Sequence, residues 1–292
     1  STLFPCTTLF RSDAALVMQH FSTFRYDAVL HLAAQVAVTT SVTDPRRDFE
    51  INAQGTFNLL EAVRLHNRDA VFINASTNKV YGKLASVRVV ENAERYVFAD
   101  GYPGVAESAP LDFYSPYGCS KGIADQYALD YHRIYGLRTV SLRQSCIYGE
   151  RQFGIEDQGW VAWFIIAHLT GKPITIYGNG KQVRDLLYVD DLIDAYFAVI
   201  EKIDGVAGRA FNIGGGGENT LSLLEFVREL NRLSASPLQY GVSGWRPGDQ
   251  PLYSSDITAA RQVLGWSPKT VVRDGIRALY NWVGENRSLF TD

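Results

Sequence analysis

Tyr117 and Lys121 stand four residues apart in the stretch Phe113-Tyr114-Ser115-Pro116-Tyr117-Gly118-Cys119-Ser120-Lys121-Gly122-Ile123-Ala124-Asp125-Gln126-Tyr127. On a helix that spacing sets the phenol and the ammonium on one face, one turn apart. An ammonium beside a phenol favours the phenolate, so the pair can supply a base at neutral pH. The residues just upstream predict where the helix starts. Pro116 has the restricted φ of a first helical turn, and Ser115 can accept from the amides left unpaired there. Tyr-x-x-x-Lys alone is more often an ordinary amphipathic helix than a site. Its meaning depends on which other segments converge on it.

The elements that must position this helix follow from periodicity. Residues 14–24 carry apolar residues at helical spacing, and 26–34 read as a short buried strand ending in small residues. Residues 48–66 read as a helix with Ile51, Phe57, Leu59, Leu60 and Val63 on its apolar side, and 70–75 as the next strand, stopping at Ser76-Thr77. The Tyr117 helix runs to about Tyr135, and 138–143 form a third strand. Alternating apolar strands and helices predict a parallel sheet with helices on both faces. Ligands of such sheets lie at the carboxyl ends of the strands. Here those ends are Ala33-Ala34-Gln35, Ser76-Thr77 and Gln144-Ser145-Cys146. Three strand tips therefore converge where the Tyr117 helix points.

The second half is less regular. Helices are expected over 158–169, 221–233, 257–264 and 272–283, with strands at 173–178 and 210–215 and a strand running into a helix over 185–203. No repeat or low-complexity linker separates the halves, so the smaller lobe interleaves with the sheet domain.

With 292 residues, 46% of them hydrophobic, the chain can bury a large core. A net charge of −3 without a basic run gives no reason to invoke nucleic acid or an anionic membrane surface, and no apolar run approaches the length of a membrane span. Three cysteines are no disulfide framework, which points to a reducing cytoplasm; Cys119 and Cys146 read as packing residues rather than nucleophiles. No metal-ligating cluster stands out. Residues 2–12 carry no clear period and resemble a translated sequencing adapter, so 1–12 are set aside as a non-native extension, with the genuine chain expected from about Asp13.

Taken together, His31-Leu32-Ala33-Ala34-Gln35, Asn52 within Ile-Asn-Ala-Gln-Gly-Thr-Phe-Asn-Leu-Leu-Glu-Ala, Tyr117 with Lys121, Val183-Arg184-Asp185, Val189-Asp190-Asp191-Leu192 and Arg246-Pro247-Gly248-Asp249 resemble the extended short-chain dehydrogenase/reductases, in their nucleotide-sugar epimerase branch. The likeness runs from about Asp13 to the end. It implies NAD as cofactor, a nucleotide-sugar substrate (a CDP-sugar, from Ser76 to Gly82, Ser115 to Gly122 and Asp157-Gln158-Gly159-Trp160), inversion of a sugar carbon, and a homo-oligomer. It also implies roles. Tyr117 is the acid/base, Lys121 holds the nicotinamide ribose and depresses the Tyr pKa, and Thr77 binds the reacting oxygen. Ala33, Ala34, Gln35, Asn52, Ser76 and Gln144 line or brace the cofactor. Cys146, Arg184 and Arg246 face the substrate, the arginines gripping its diphosphate through their bidentate forks. For either Arg alone a surface salt bridge is the plainer reading, and for Asn52 a cap or turn.

The resemblance has one gap. The family's Gly-rich turn, where amides at a helix N-terminus cradle the pyrophosphate, is not found, and Gly214 to Gly217 follow a late strand instead. The expected fold is thus a Rossmann-type, doubly wound α/β parallel sheet without its first βαβ portion, over 13–150 with segments returning near 185–215. A smaller substrate-binding lobe covers 151–184 and 216–292. Two other readings stand beside the epimerase acting on a CDP-sugar. A 4-epimerase uses the same trio, and a degenerate Rossmann-fold protein would bind without catalysis. A 4,6-dehydratase, whose family puts Asp-Glu after the catalytic Thr, is disfavoured by Asn78-Lys79.

Overall fold

The computed structural model describes residues 11–246 and 249–290, and the chain divides into two compact units. Among the described residues, the first comprises 11–82, 110–144 and 196–211; the second comprises 83–109, 145–195, 212–246 and 249–290. The sequence reading put 83–109 with the sheet domain and returned the chain there over 185–215. Long connections carry no periodic signal of where they pack, hence the difference.

The first unit is built on a sheet of strands β1 (Ala28–His31), β2 (Val71–Thr77), β3 (Thr139–Gln144) and β4 (Arg209–Ile213), in that order, with β1, β2 and β3 parallel. Every residue of β2 is buried, as a central strand covered on both faces demands. β1 departs from the expected buried strand: only His31 in it is buried, and Leu30 is 43% exposed. Helix α1 (Ala14–Thr23) starts at Asp13, whose carboxylate accepts from the Leu16 amide at 3.1 Å. It packs Val17 and Phe21 with Leu59, Leu60 and Val63 of helix α2 (Gly55–His66) and with Phe72 of β2 in one core cluster.

Of the N-terminal residues set aside, 1–10 lie outside the described ones. Arg11 is packed into this unit at 1% exposure, donating to the Ile51 carbonyl at 3.4 Å while its own carbonyl accepts from Asn58 at 2.8 Å. The expected boundary at Asp13 therefore falls inside the packed structure.

The helix expected over 48–66 is interrupted. A short α-helix, Pro45–Phe49, runs into a π-helical turn, Glu50–Gln54, and then into α2. Such bulges insert one residue and re-aim the side chains around it. Phe57, expected on the apolar side, is instead 42% exposed and meets Tyr127 edge to face at 5.8 Å. Helix α3 (Pro116–Tyr135) follows the reading: Ser115 accepts from Gly118 N at 3.1 Å, Pro116 is its first residue, and Gly136 ends it at φ +69°.

The second unit holds a sheet of Thr220–Ser222, Val183–Tyr188 and Leu252–Tyr253, with Cys146–Tyr148 also paired to Val183–Tyr188. Its core gathers helix Trp160–Thr170, helix Leu223–Leu233 and helix Val272–Glu285 around Phe164, Phe226 and Ile276. Among the described residues no helix is long and apolar enough to cross a membrane.

Candidate active site

In the first unit, α3 carries Tyr117 and Lys121 inward, at 8% and 5% exposure, against the carboxyl end of β2. β2 ends at Thr77, which pairs in register with Gln144 at the end of β3. The Thr77 hydroxyl lies within electrostatic reach of the Tyr117 phenol; it donates to Asn78 Oδ1 at 3.3 Å and accepts from the Lys79 amide at 3.3 Å, capping the 3-10 turn Asn78–Tyr81. Lys121 donates from Nζ to the Ala75 carbonyl of the same strand. The trio is thus held by one strand end and one helix face.

The electrostatics differ from the simple expectation that Lys121 depresses the phenol. Burial pushes Tyr117 up to about 12; the nearby Thr77 hydroxyl pulls the other way and the Asp48 charge adds to the rise. Burial also brings Lys121 down to about 8; Arg11 lowers it further, while Asp125 and Asp48 oppose this. Desolvation, which spacing on a helix does not reveal, dominates both shifts.

Around the trio, Gln35 and Asn52 brace each other. The Gln35 amide donates to Asn52 Oδ1 and Asn52 Nδ2 donates to the Gln35 carbonyl, both at 2.9 Å. Asn52 lies in the π turn and is 1% exposed, so it ties the loop after β1 to this segment rather than capping a helix. Ala33 and Ala34 are half-buried in that loop, Ser76 is buried beside Thr77, and Gln144 donates to the Tyr196 hydroxyl at 2.5 Å. All the residues expected to meet the cofactor lie in this unit.

Cys146, Arg184 and Arg246 belong to the second unit. Arg184 is paired to Asp249 in an ion pair largely withdrawn from solvent, their side chains 11% and 23% exposed. Arg246 stacks on the Tyr177 ring at 3.9 Å and reaches Asp157 at 3.2 Å. Cys146 is half-buried at the start of strand Cys146–Tyr148, opposite Leu186. Gly214 and Gly215 belong to this unit as well. A Cβ on Gly214 would meet the Asp185 carboxylate at 2.3 Å, and one on Gly215 the Leu186 carbonyl at 2.3 Å. Packing accounts for these glycines.

Several polar residues at the trio escaped the sequence reading. Asp125, one turn beyond Lys121, forms a buried ion pair with Arg143 of β3, and Arg143 also donates to the Tyr81 hydroxyl at 3.0 Å. Asp48 and Ser120 form a second buried cluster with Gln35 and Asn52. The i, i+4 step from Lys121 to Asp125 was the one signal available for the first. Asp48 is only the first residue of the helix expected over 48–66, and nothing local marks it for burial. Among the described residues no group of His, Cys, Asp and Glu could hold a metal ion.

The NAD dependent epimerase/dehydratase family matches residues 7–214. The CDP-paratose 2-epimerase of Salmonella typhi is 48% identical over 261 residues, covering 88% of this chain and 77% of that protein. A dTDP-glucose 4,6-dehydratase of Neisseria gonorrhoeae is 31% identical over 294 residues, covering 94% and 80%. Among solved structures, the UDP-glucose 4-epimerase of Thermus thermophilus in complex with NAD superposes with a TM-score of 0.77 at 31% identity, over 93% of this chain and 82% of that one.

Proposed function

The chain belongs to the NAD dependent epimerase/dehydratase family, and we propose that within it the chain inverts carbon 2 of a CDP-linked sugar, with Tyr117 as the acid/base. The observation that carries this is the buried trio: Tyr117 and Lys121, one helical turn apart on α3, packed against the end of β2 that carries Thr77. The higher identity to the 2-epimerase than to the dehydratase supports the reaction type. So do Asn78 and Lys79, which follow Thr77 where elimination of water needs a carboxylic acid.

The residues around the trio fit the nicotinamide half of NAD: a lysine ammonium and a tyrosine on one helix face, beside a loop braced by Asn52. NAD held there would supply the hydride acceptor and donor that inversion of a sugar carbon requires. The chain's own residues do the rest. Thr77 orients the sugar hydroxyl, Tyr117 takes its proton and later returns it, and Lys121 is the cation one turn away that favours the phenolate. At about 12 the phenol is protonated at neutral pH, so its activation rests on positive charge brought beside it. For the nucleotide diphosphate we assign Arg184 and Arg246, with Cys146 lining the substrate side. A homo-oligomer is part of the proposal; it is supported by the exposed rings of Phe57 and Tyr127, packed edge to face on neighbouring helices.

The test is turnover of CDP-paratose by the chain and by Tyr117→Phe, with the sugar product identified by NMR. We expect inversion at carbon 2 and a loss of at least about 10²–10⁴-fold in the variant, with NAD still bound. Inversion at carbon 4 would assign the chain to the 4-epimerases instead. Near-normal turnover by Tyr117→Phe would remove Tyr117 from the chemistry.

A further inference from the structure

One buried acid is not used by the chemistry above. Asp48, in the short helix Pro45–Phe49, is 1% exposed and has no ion-pair partner within 4 Å among the described residues. Its carboxylate accepts from Ser120 Oγ at 2.5 Å, from Gln35 Nε2 at 2.9 Å and from Asn52 Nδ2 at 3.1 Å. Asn52 also donates to Ser120 Oγ at 3.1 Å, and the serine hydroxyl has a second, longer acceptor in the Tyr117 carbonyl at 3.2 Å. The groups facing the carboxylate are donors, which favour its ionised form against the burial that raises it from the ordinary 3.8. Burying a carboxylate among neutral donors is costly, and its sole justification as packing would be weak.

Its position gives it a use. Ser120 lies between Tyr117 and Lys121 on α3, while Gln35 and Asn52 hold the loop after β1. We propose that Asp48 is a positioning residue for the Tyr117–Lys121 pair: through Ser120, Gln35 and Asn52 it clamps the catalytic helix to the cofactor-side loop, and it sets a fixed negative charge beside the pair. The charged and titratable groups that reach the pair are Asp48 itself, Arg11, Asp125 on the next turn of α3, and His31 of β1, which faces Lys121. Arg11 lowers Lys121, whereas Asp48 and Asp125 hold its proton on; Asp48 also holds the proton on Tyr117. Asp48 thus restrains Tyr117 from ionising until positive charge arrives, and keeps Lys121 cationic.

The proposal rests on Tyr117 as acid/base, so its test includes a readout without turnover. In the full chain saturated with NAD and labelled with ¹³C-lysine, the Lys121 resonance is identified by its loss in Lys121→Met and titrated. Asp48→Asn keeps the shape and removes the charge. We expect the Lys121 midpoint to fall by about 0.5–1 pH unit and the acid limb of kcat/KM to move to lower pH. Ser120→Ala keeps the charge and cuts the clamp, and should lower kcat about tenfold at nearly constant KM and unchanged Lys121 midpoint. A Lys121 midpoint unmoved in folded Asp48→Asn overturns the electrostatic role. A normal kcat in Ser120→Ala overturns the clamp, whether or not Asp48→Asn folds. If the midpoint shifts while Tyr117→Phe turns over normally, the acid/base assignment fails and the charge effect stands.

Discussion

Arg143→Met tests whether the buried pair behind α3 holds the catalytic helix in place. Arg143 and Asp125 have side chains 4% and 0% exposed. Arg143 donates from Nε to Asp125 Oδ2 at 3.1 Å, from one Nη to Oδ1 at 2.9 Å, and from the other to the Tyr81 hydroxyl at 3.0 Å. Methionine keeps much of the volume but removes the cation and these three bonds, leaving the carboxylate only neutral donors such as the Ser141 hydroxyl and the Gln126 amide, both at 2.9 Å. Removing one partner of such a pair costs about 3–5 kcal/mol, a large share of the roughly 5–15 kcal/mol that holds a domain folded. The pH dependence sharpens the test. Burial alone would raise the Asp125 carboxyl, but the Arg143 hydrogen bonds and charge outweigh it and hold the group below its ordinary 3.8. In the native chain this stability is present above pH 3.8 and is lost as pH falls through the lower folded value. In Arg143→Met the largest of the opposing influences is gone, and we expect burial to dominate and the folded value to rise above 3.8. The penalty is then full at neutral pH and is relieved as pH falls through that raised value, by about 1.4 kcal/mol per unit. Urea titrations followed by circular dichroism from pH 8 to pH 4 measure it. We expect a gap of about 3–5 kcal/mol at neutral pH that narrows on acidification, and recovery of most of it in Asp125→Leu/Arg143→Met. A neutral-pH gap below about 1 kcal/mol, or one that does not change with pH, refutes the reasoning.

Two further expectations concern other parts of the chain. Arg184→Ala should weaken CDP binding by calorimetry by about 1.5–3 kcal/mol, the worth of a charged hydrogen bond, and unchanged affinity would mean that Arg184 serves only to pair Asp249. Gly82→Ala should cost about 2–4 kcal/mol in chemical denaturation and slow turnover, because Gly82 closes the turn after Thr77 at φ +62° and an added Cβ would lie 2.1 Å from the Asp112 carbonyl; a loss under about 0.5 kcal/mol would show that the turn relaxes freely.

Local signals in the chain are enough for the catalytic helix. A Ser-Pro start, a four-residue Tyr/Lys step and a glycine after Tyr135 are all short-range, and Ser115 caps and Gly136 terminates as those residue types dictate. The apolar run ending at Thr77 likewise foretells a central strand, and β2 is buried throughout. Tertiary contacts account for the rest. Phe57 faces outward because the π turn Glu50–Gln54 shifts the phase of the helix after it, and no period read along the chain contains that extra residue. Leu30 is exposed although its strand is apolar, since among the described residues β1 pairs on one side only. Asp48 and Asp125 are charged residues on amphipathic helices, a pattern that normally means solvent; they are buried because donors more than ten residues away in the chain, Gln35, Ser120 and Arg143 among them, fold onto them. The protonation of Tyr117 belongs to the same class, for the Tyr/Lys spacing sets which groups meet, while the water excluded around them sets which of them keeps its proton.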